Sequence, residues 1–204
     1  MRRTKQEAEQ TRRRVLRAAR GVFARQGVAR TSLEQVARAA GVTRGAVYWH
    51  FRNKAELFYR MREQVSLPLL DRIDLALSPA AGDDPLADVE RMLLTLLEEI
   101  DHNPAARTVF SIMNFRCEYV DEFARELRRQ ATRTARYTAQ LARVYRRASR
   151  AGLLRPGLRP DLAALDTCAF TVGLVRLRLM EPGPGLLRGR ARRLVAAHVA
   201  SRRR

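Results

Sequence analysis

Between Thr31 and Lys54 this chain carries more local folding instructions than in any other stretch of its 204 residues. Thr31 and Ser32 are both helix N-cap residue types, and Glu34 and Gln35 follow three positions after them. Each pair fits a capping box, in which side chains satisfy the orphan amides of a helix start. Leu33, Val36 and Ala37 then fall on one helical face. Gly41 supplies the left-handed conformation that stops a helix. Thr43 is placed to cap a second helix over 44–50, and Asn53 with Glu56 repeats the capping-box pattern for a third. In the second helix Val47 and Phe51, four residues apart, face the core, which leaves Arg44, Tyr48, Trp49 and His50 outward.

Two short helices around a tight turn, followed by a longer one, form a helix-turn-helix pattern. In that motif the second helix enters the DNA major groove with its N-terminal residues on the base edges. Solvated helix faces usually carry Glu, Lys and Gln, whereas Arg, Tyr, Trp and His suit bases, thymine methyls and phosphates. The candidate DNA contacts are therefore Thr31, Thr43, Arg44, Gly45, Tyr48, Trp49, His50 and Lys54. Arg44 is the candidate for direct readout of guanine, and Gly45 lets the backbone come close. Tyr48 and His50 contact phosphate or a thymine methyl, and Thr31 and Lys54 hold phosphate. The competing reading is a packed three-helix subdomain with aromatic core residues, and Trp49 in particular often packs between helices.

The formal net charge is +19, and its distribution matters more than its size. Residues 1–54 hold 14 Lys or Arg against Glu7, Glu9 and Glu34, a net of +11. A basic segment gathers around polyanions and gives salt-sensitive, sequence-independent affinity. Arginine is abundant throughout, and Lys5 and Lys54 are the sole lysines, so charge alone is weak evidence. Charge coinciding with a helix-turn-helix is strong evidence.

The rest of the chain reads as helices and loops, with no strand pattern and no repeat. Residues 6–26 form a first helix with a stripe of Val15, Leu16, Ala19, Val22 and Phe23, ended by Gly27. Before it, Arg2, Arg3 and Lys5 could follow phosphates or the minor groove. A long helix from Lys54 to about Leu77 contains Pro68, which removes one internal hydrogen bond and predicts a kink near 64–66. Residues 78–85 are a loop. Asp84 and Pro85 open a helix to about 102. A short helix covers 105–115, a long Arg-rich one runs from about Tyr119 to Ala151, and a very apolar one covers 161–180. After a Pro/Gly turn at 181–185, residues 186–200 form a last amphipathic helix. The expected fold is all-α, with a DNA-binding domain over 1–54 and a second helical domain over 55–204.

Thr43 to Lys54, reading Thr-Arg-Gly-Ala-Val-Tyr-Trp-His-Phe-Arg-Asn-Lys, resembles the signature of the TetR family of transcriptional repressors. The segments Arg3-Thr4-Lys5-Gln6-Glu7-Ala8 and Arg116-Cys117-Glu118-Tyr119-Val120 are similar to the AcrR and TtgR branch, which represses multidrug efflux pump genes. The resemblance implies a homodimer on a palindromic operator, released by a small hydrophobic or aromatic effector.

The residues of the second domain support compatible expectations. Ala164, Thr167, Thr171 and Gly173 are small enough for close helix packing, and with Leu187, Leu194, Val195 and Val199 they suggest a four-helix dimer interface. Alternatively these helices finish the core of one subunit. The middle helices offer a pocket wall of Val65, Leu93, Leu96, Phe110, Met113, Asn114, Thr134, Tyr137, Leu141, Cys168, Thr171, Val172, Val175 and Arg176. An apolar wall with a few polar groups describes most small-molecule sites, although an ordinary core has the same composition. These positions match the drug pocket of the similar efflux-pump repressors.

Other classes are disfavoured. His50, His102 and His198 stand in unrelated contexts, and no metal spacing, nucleophile motif or Gly-rich phosphate loop is present. Neither an enzyme nor a cofactor is expected. Cys117 and Cys168 make no disulfide framework and fit a reducing cytoplasm. A redox role for Cys117 and a constitutive, ligand-independent DNA-binding protein are the competing readings. No run of 18 apolar residues or signal-peptide core occurs, so neither membrane nor export is expected.

Overall fold

The computed structural model describes residues 5–78, 83–180, 187 and 189–204. Arg2 and Arg3, the 79–82 part of the expected loop, the turn at 181–185, and positions 186 and 188 of the expected last helix lie outside the described residues. Among the described residues the chain is all-α. The helices are α1 (Lys5–Gln26), α2 (Leu33–Ala40), α3 (Arg44–His50), α4 (Lys54–Ala76), α5 (Pro85–His102), α6 (Pro104–Phe115), α7 (Ala124–Arg150), α8 (Pro160–Met180) and α9 (Ala191–Ala200). The extended pairing among them is limited to one antiparallel bridge, Leu154 to Arg203.

The capping chemistry forms as its residues dictate. Ser32 caps α2, accepting from the Gln35 amide, while the Gln35 side chain accepts from the Ser32 amide at 2.8 Å. Gly41 ends α2 at φ +62°. A guanidinium nitrogen of Arg14 donates to the carbonyls of Ala40 at 2.8 Å and Gly41 at 3.2 Å, so a cation sits on the negative end of the α2 dipole. Asn53 accepts from the Glu56 amide at 2.8 Å, and the Glu56 carboxylate accepts from the Arg52 amide at 2.9 Å. Asp84 caps α5 with Pro85 in its first turn.

The chain divides into two compact units. The first comprises residues 1–67 and 104–127. It therefore extends past the helix-turn-helix and takes in the first part of α4 and all of α6. Its core joins Val15, Leu16, Phe23, Val36, Val47, Phe51 and Phe58 to Val109, Ile112 and Phe123. Phe58 meets Phe23 and Phe123 edge-on, with ring centroids 6.1 and 5.6 Å apart. The Val28 amide donates to the Arg116 carbonyl at 2.8 Å, which pins the turn after α1 to the end of α6. Within the same unit Arg62 on α4 and Glu126 on α7 form a buried ion pair.

The second unit comprises residues 68–103 and 128–204. Met92, Leu93 and Ile100 of α5, Leu141 and Tyr145 of α7, Ala164 of α8 and Val195 of α9 are among its fully buried residues. A polar chain crosses this core. The Tyr145 hydroxyl lies 2.7 Å from Thr167 Oγ1, which lies 3.0 Å from His198 Nε2, and the His198 ring stacks on Phe170 at 3.8 Å.

The residues expected at a dimer interface divide between buried and exposed positions. Ala164, Thr167 and Thr171 are buried inside the unit, as are Leu187, Val195 and Val199. Gly173 and Leu194 of the expected set are exposed, and the outward face of α8 also carries Leu162, Leu165, Val172, Leu177 and Met180. Because apolar residues recur around most of α8, composition could not tell which stripe faces in. The hydroxyls of Thr167 and Thr171 decide it, since each meets a polar group on another helix, His198 and Tyr137 respectively.

One boundary differs from expectation. Helix α7 begins at Ala124 rather than near Tyr119, because Asp121 takes φ +47° and residues 121–123 form one 3-10 turn. Helix α4 runs through Pro68 to Ala76, as its sequence pattern predicts, and the two compact units divide at Pro68.

Candidate nucleic-acid interface

Helix α3 is short, and Val47 is its buried anchor. Thr43 caps it, accepting from the Ala46 amide at 3.2 Å, which fixes where the helix starts and so where Arg44 emerges. Arg44, Gly45, Tyr48 and Trp49 are all exposed, and His50 is half-buried. Trp49 is 73% exposed, so it does not serve as packing between helices. Its ring meets His50 edge-on at 4.5 Å. Beyond the backbone of its own helix and its chain neighbours, no described atom stands within 4 Å of where a Cβ on Gly45 would sit. The packing of this chain therefore does not call for glycine there, although glycine costs a helix interior about 1 kcal/mol.

Arg44 is held from two sides. Its Nε lies 2.9 Å from Glu34 Oε1 on α2, and its guanidinium carbon lies 5.3 Å from the centroid of the Tyr48 ring. Tyr48, then Glu34, hold Arg44 firmly in its charged form. The Glu34 carboxylate lies below the usual range because its own backbone amide and the Ser32 hydroxyl donate to it, with Arg44 adding charge.

Two expected phosphate contacts are placed differently. Thr31 is buried, and its hydroxyl donates to the Gly27 carbonyl at 2.7 Å and accepts from the Gln26 side chain at 3.1 Å. In this position it holds the turn between α1 and α2 rather than offering itself to phosphate. The Lys54 ammonium donates to the Ala29 carbonyl at 2.9 Å and lies 3.8 Å from Glu122. Sequence reasoning treated Glu34 only as a capping residue and gave Glu122 no role. Nothing in the local pattern signals that either carboxylate would meet a candidate DNA-binding cation.

The expected pocket residues fall in both units. In the first, Val65 is buried, while Phe110, Met113 and Asn114 are half-buried; the Asn114 side chain donates back to the Phe110 carbonyl at 2.9 Å. In the second, Leu93, Leu96, Leu141, Cys168 and Thr171 are buried. The Tyr137 hydroxyl lies 3.3 Å from Thr171 Oγ1 and 3.2 Å from the sulfur of Met92, a neighbour that sequence reasoning left out. Burial pushes the Tyr137 hydroxyl well above its ordinary range, so it stays protonated. Thr134, Val172 and Arg176 are exposed and Val175 is half-buried. Val172 thus shares the outward face of α8 with Leu165 rather than the buried stripe of Cys168 and Thr171.

Cys117 is not poised for redox chemistry. Burial raises its thiol to about 12, far from the low values of reactive cysteines. No helix among the described residues is long and apolar enough to cross a membrane.

Comparison with known proteins agrees with this geometry. Residues 15–61 match the model described as bacterial regulatory proteins, tetR family, and residues 84–201 match the MAATS-type transcriptional repressor C-terminal region. The chain belongs to the TetR family. Within it, the chain is 35% identical over 184 residues to the HTH-type transcriptional regulator TtgR of Pseudomonas putida, covering 89% of this chain and 86% of that protein. It superposes on NalD, the secondary repressor of the MexAB-OprM multidrug efflux pump in Pseudomonas aeruginosa, with a TM-score of 0.85. That match has 34% identity and covers 97% of this chain and 98% of NalD. SmeT, the repressor of the Stenotrophomonas maltophilia efflux pump SmeDEF, has been solved in complex with triclosan. That structure matches at 29% identity and a TM-score of 0.80, covering 95% of this chain and 92% of SmeT. The TetR-family helix-turn-helix match spans α2 and α3 completely and reaches back into α1.

Proposed function

We propose that this TetR-family chain is a dimeric repressor of a multidrug efflux operon, binding a palindromic operator and released by a small hydrophobic or aromatic compound. The observation that carries the DNA reading is the outer face of α3, where charged Arg44, Tyr48 and Trp49 stand exposed around Gly45. Arg44 reads guanine through its fork, Gly45 admits the groove wall, and Tyr48, Trp49 and His50 contact phosphates or a thymine methyl. Lys54 reaches phosphate by exchanging its Ala29 and Glu122 contacts. One short recognition helix covers few base pairs, so a two-fold dimer supplies the second half-site. The apolar outer face of α8 with Leu194 supports that dimer.

The triclosan complex of SmeT supports an aromatic or phenolic effector here. The buried polar group of Tyr137 and Thr171, with Met92 beside it, is the part of the expected pocket wall best suited to orient such a compound. The effector acts by binding better to the form that fits DNA badly. Coupling of this kind is typically about 1–3 kcal/mol.

The test is a titration of the protein on DNA that it selects from a randomised pool, with random duplex as control, followed by triclosan and related phenols. Selective binding that a phenol releases supports the whole reading. Selective binding that no compound disturbs supports a constitutive, ligand-independent DNA-binding protein. Arg44→Ala should weaken operator binding by about 1–3 kcal/mol and random binding much less. Equal loss on both duplexes would mean that Arg44 contacts phosphate alone.

A further inference from the structure

We propose that Glu34 is a positioning residue that sets DNA specificity, by holding the Nε edge of Arg44 so that its two terminal nitrogens are presented to a guanine. The proposal rests on the reading that Arg44 contacts a base, and it adds a residue from the other helix of the motif.

Three observations carry it. The first is the 2.9 Å approach of Glu34 Oε1 to Arg44 Nε, which joins the start of α2 to the start of α3. A guanidinium has one Nε and two terminal nitrogens, and a bidentate contact with guanine O6 and N7 needs only two parallel N–H groups. With the ion pair made at the Nε edge, the terminal pair is the part of the guanidinium that a base can meet. The second is that the other constraint on Arg44 is the Tyr48 ring, 5.3 Å from the guanidinium carbon. An edge contact from one helix and a face contact from its own helix restrict the plane as well as the position. The third is that Glu34 is itself fixed. It is the second residue of α2, within the capping box that Ser32 and Gln35 close. An anion there is favoured by the helix dipole, and the Ser32 hydroxyl and a backbone amide stabilise its charge.

The sign of its charge explains why such a residue sharpens selectivity. A carboxylate beside DNA is repelled by phosphates, and it is tolerated best while Arg44 stays paired with it. On the operator Arg44 keeps that partner and reads the base as well. On other DNA, Arg44 must leave Glu34 to reach a phosphate, which exposes the carboxylate to the backbone. A built-in penalty on the wrong partner is a recognised route to specificity.

The experiment compares full-length wild type, Glu34→Ala, Glu34→Gln, Arg44→Ala and the Glu34→Ala/Arg44→Ala double variant. Each is titrated on the duplex that wild type retains from a randomised pool and on random duplex, and thermal melts check folding. Glu34→Ala should lower the operator-to-random affinity ratio by about five- to tenfold, largely through tighter random binding. Glu34→Gln, which keeps a polar oxygen beside Nε without the charge, should recover part of that ratio. In the Arg44→Ala background, removing Glu34 should leave the ratio unchanged. An unmoved ratio in Glu34→Ala, or the same change in both backgrounds, overturns the proposal while leaving base reading by Arg44 intact. An Arg44→Ala loss that is equal on both duplexes overturns the base reading and the role of Glu34 together.

Discussion

Arg62 and Glu126, 64 positions apart in the chain, form an ion pair in which both side chains are less than one-tenth exposed. The Arg62 guanidinium also lies 4.9 Å from the Tyr59 ring centroid. Desolvating two charges offsets most of their attraction, so such a pair adds little over an apolar contact of the same shape. Removing one partner is different, because it strands a charge. Glu126→Leu alone should cost about 3–5 kcal/mol, whereas Arg62→Met with Glu126→Leu should recover most of that loss. Urea unfolding of the three proteins checks this. A double variant as unstable as the single would show that the pair itself is worth more than burial allows.

Gly41 is the second position where a single change has a clear physical cost. Its φ of +62° suits glycine, and an added Cβ would lie 3.2 Å from the Arg14 guanidinium nitrogen that closes the turn. Gly41→Ala should destabilise the protein by about 1–2 kcal/mol, the penalty of the left-handed region for a residue with a side chain. The midpoint of thermal unfolding measures it. No shift would mean that the turn relaxes into another conformation at no cost.

His198 makes stability depend on pH. Burial, then the positive charge of Arg202, lower it from 6.5 to about 4. As pH falls from about 6.5 toward 4, the unfolded chain takes up a proton that the native state refuses, so stability drops across that window and is level above it. His198→Gln removes the titrating ring and should flatten this part of the curve. Melting both proteins across the window decides it, and two parallel curves would contradict the assignment.

The outward face of α8 should hold the dimer together. Leu165→Glu with Val172→Glu replaces two exposed apolar side chains of that face by carboxylates. Sedimentation should then show monomers, and operator affinity should fall by about a hundredfold or more as the second reading head is lost. A dimer that survives both changes would place the interface elsewhere.

Much of this was legible in the sequence because the signals are local. Ser32 with Gln35, Gly41, Thr43, and Asn53 with Glu56 each act within four residues, and the structure uses all of them. The failures share a different cause. Thr31 and Ser32 both fit a cap, and Ser32 takes it because Thr31 is drawn into the turn by Gly27 and Gln26. Ala164, Thr167 and Thr171 lie on the buried side of α8, which a helix with apolar residues around most of its circumference does not reveal in its sequence. Their inward direction is set by Tyr145 and His198, 22 and 31 residues from Thr167. Glu34 and Glu122 meet candidate DNA-binding cations through tertiary pairing, which leaves no periodic trace in the sequence.

The unit that holds the recognition helix is stitched from two stretches, 1–67 and 104–127, and the chain passes between units at 67/68, 103/104 and 127/128. The reading head is thus not a detachable cassette. A fragment ending at Lys54 would lack Phe58, Val109, Ile112 and Phe123 of its own core. Grafting the operator preference of a relative onto this chain therefore calls either for three matched splice points or for repainting only the exposed residues of α3 and their partner Glu34.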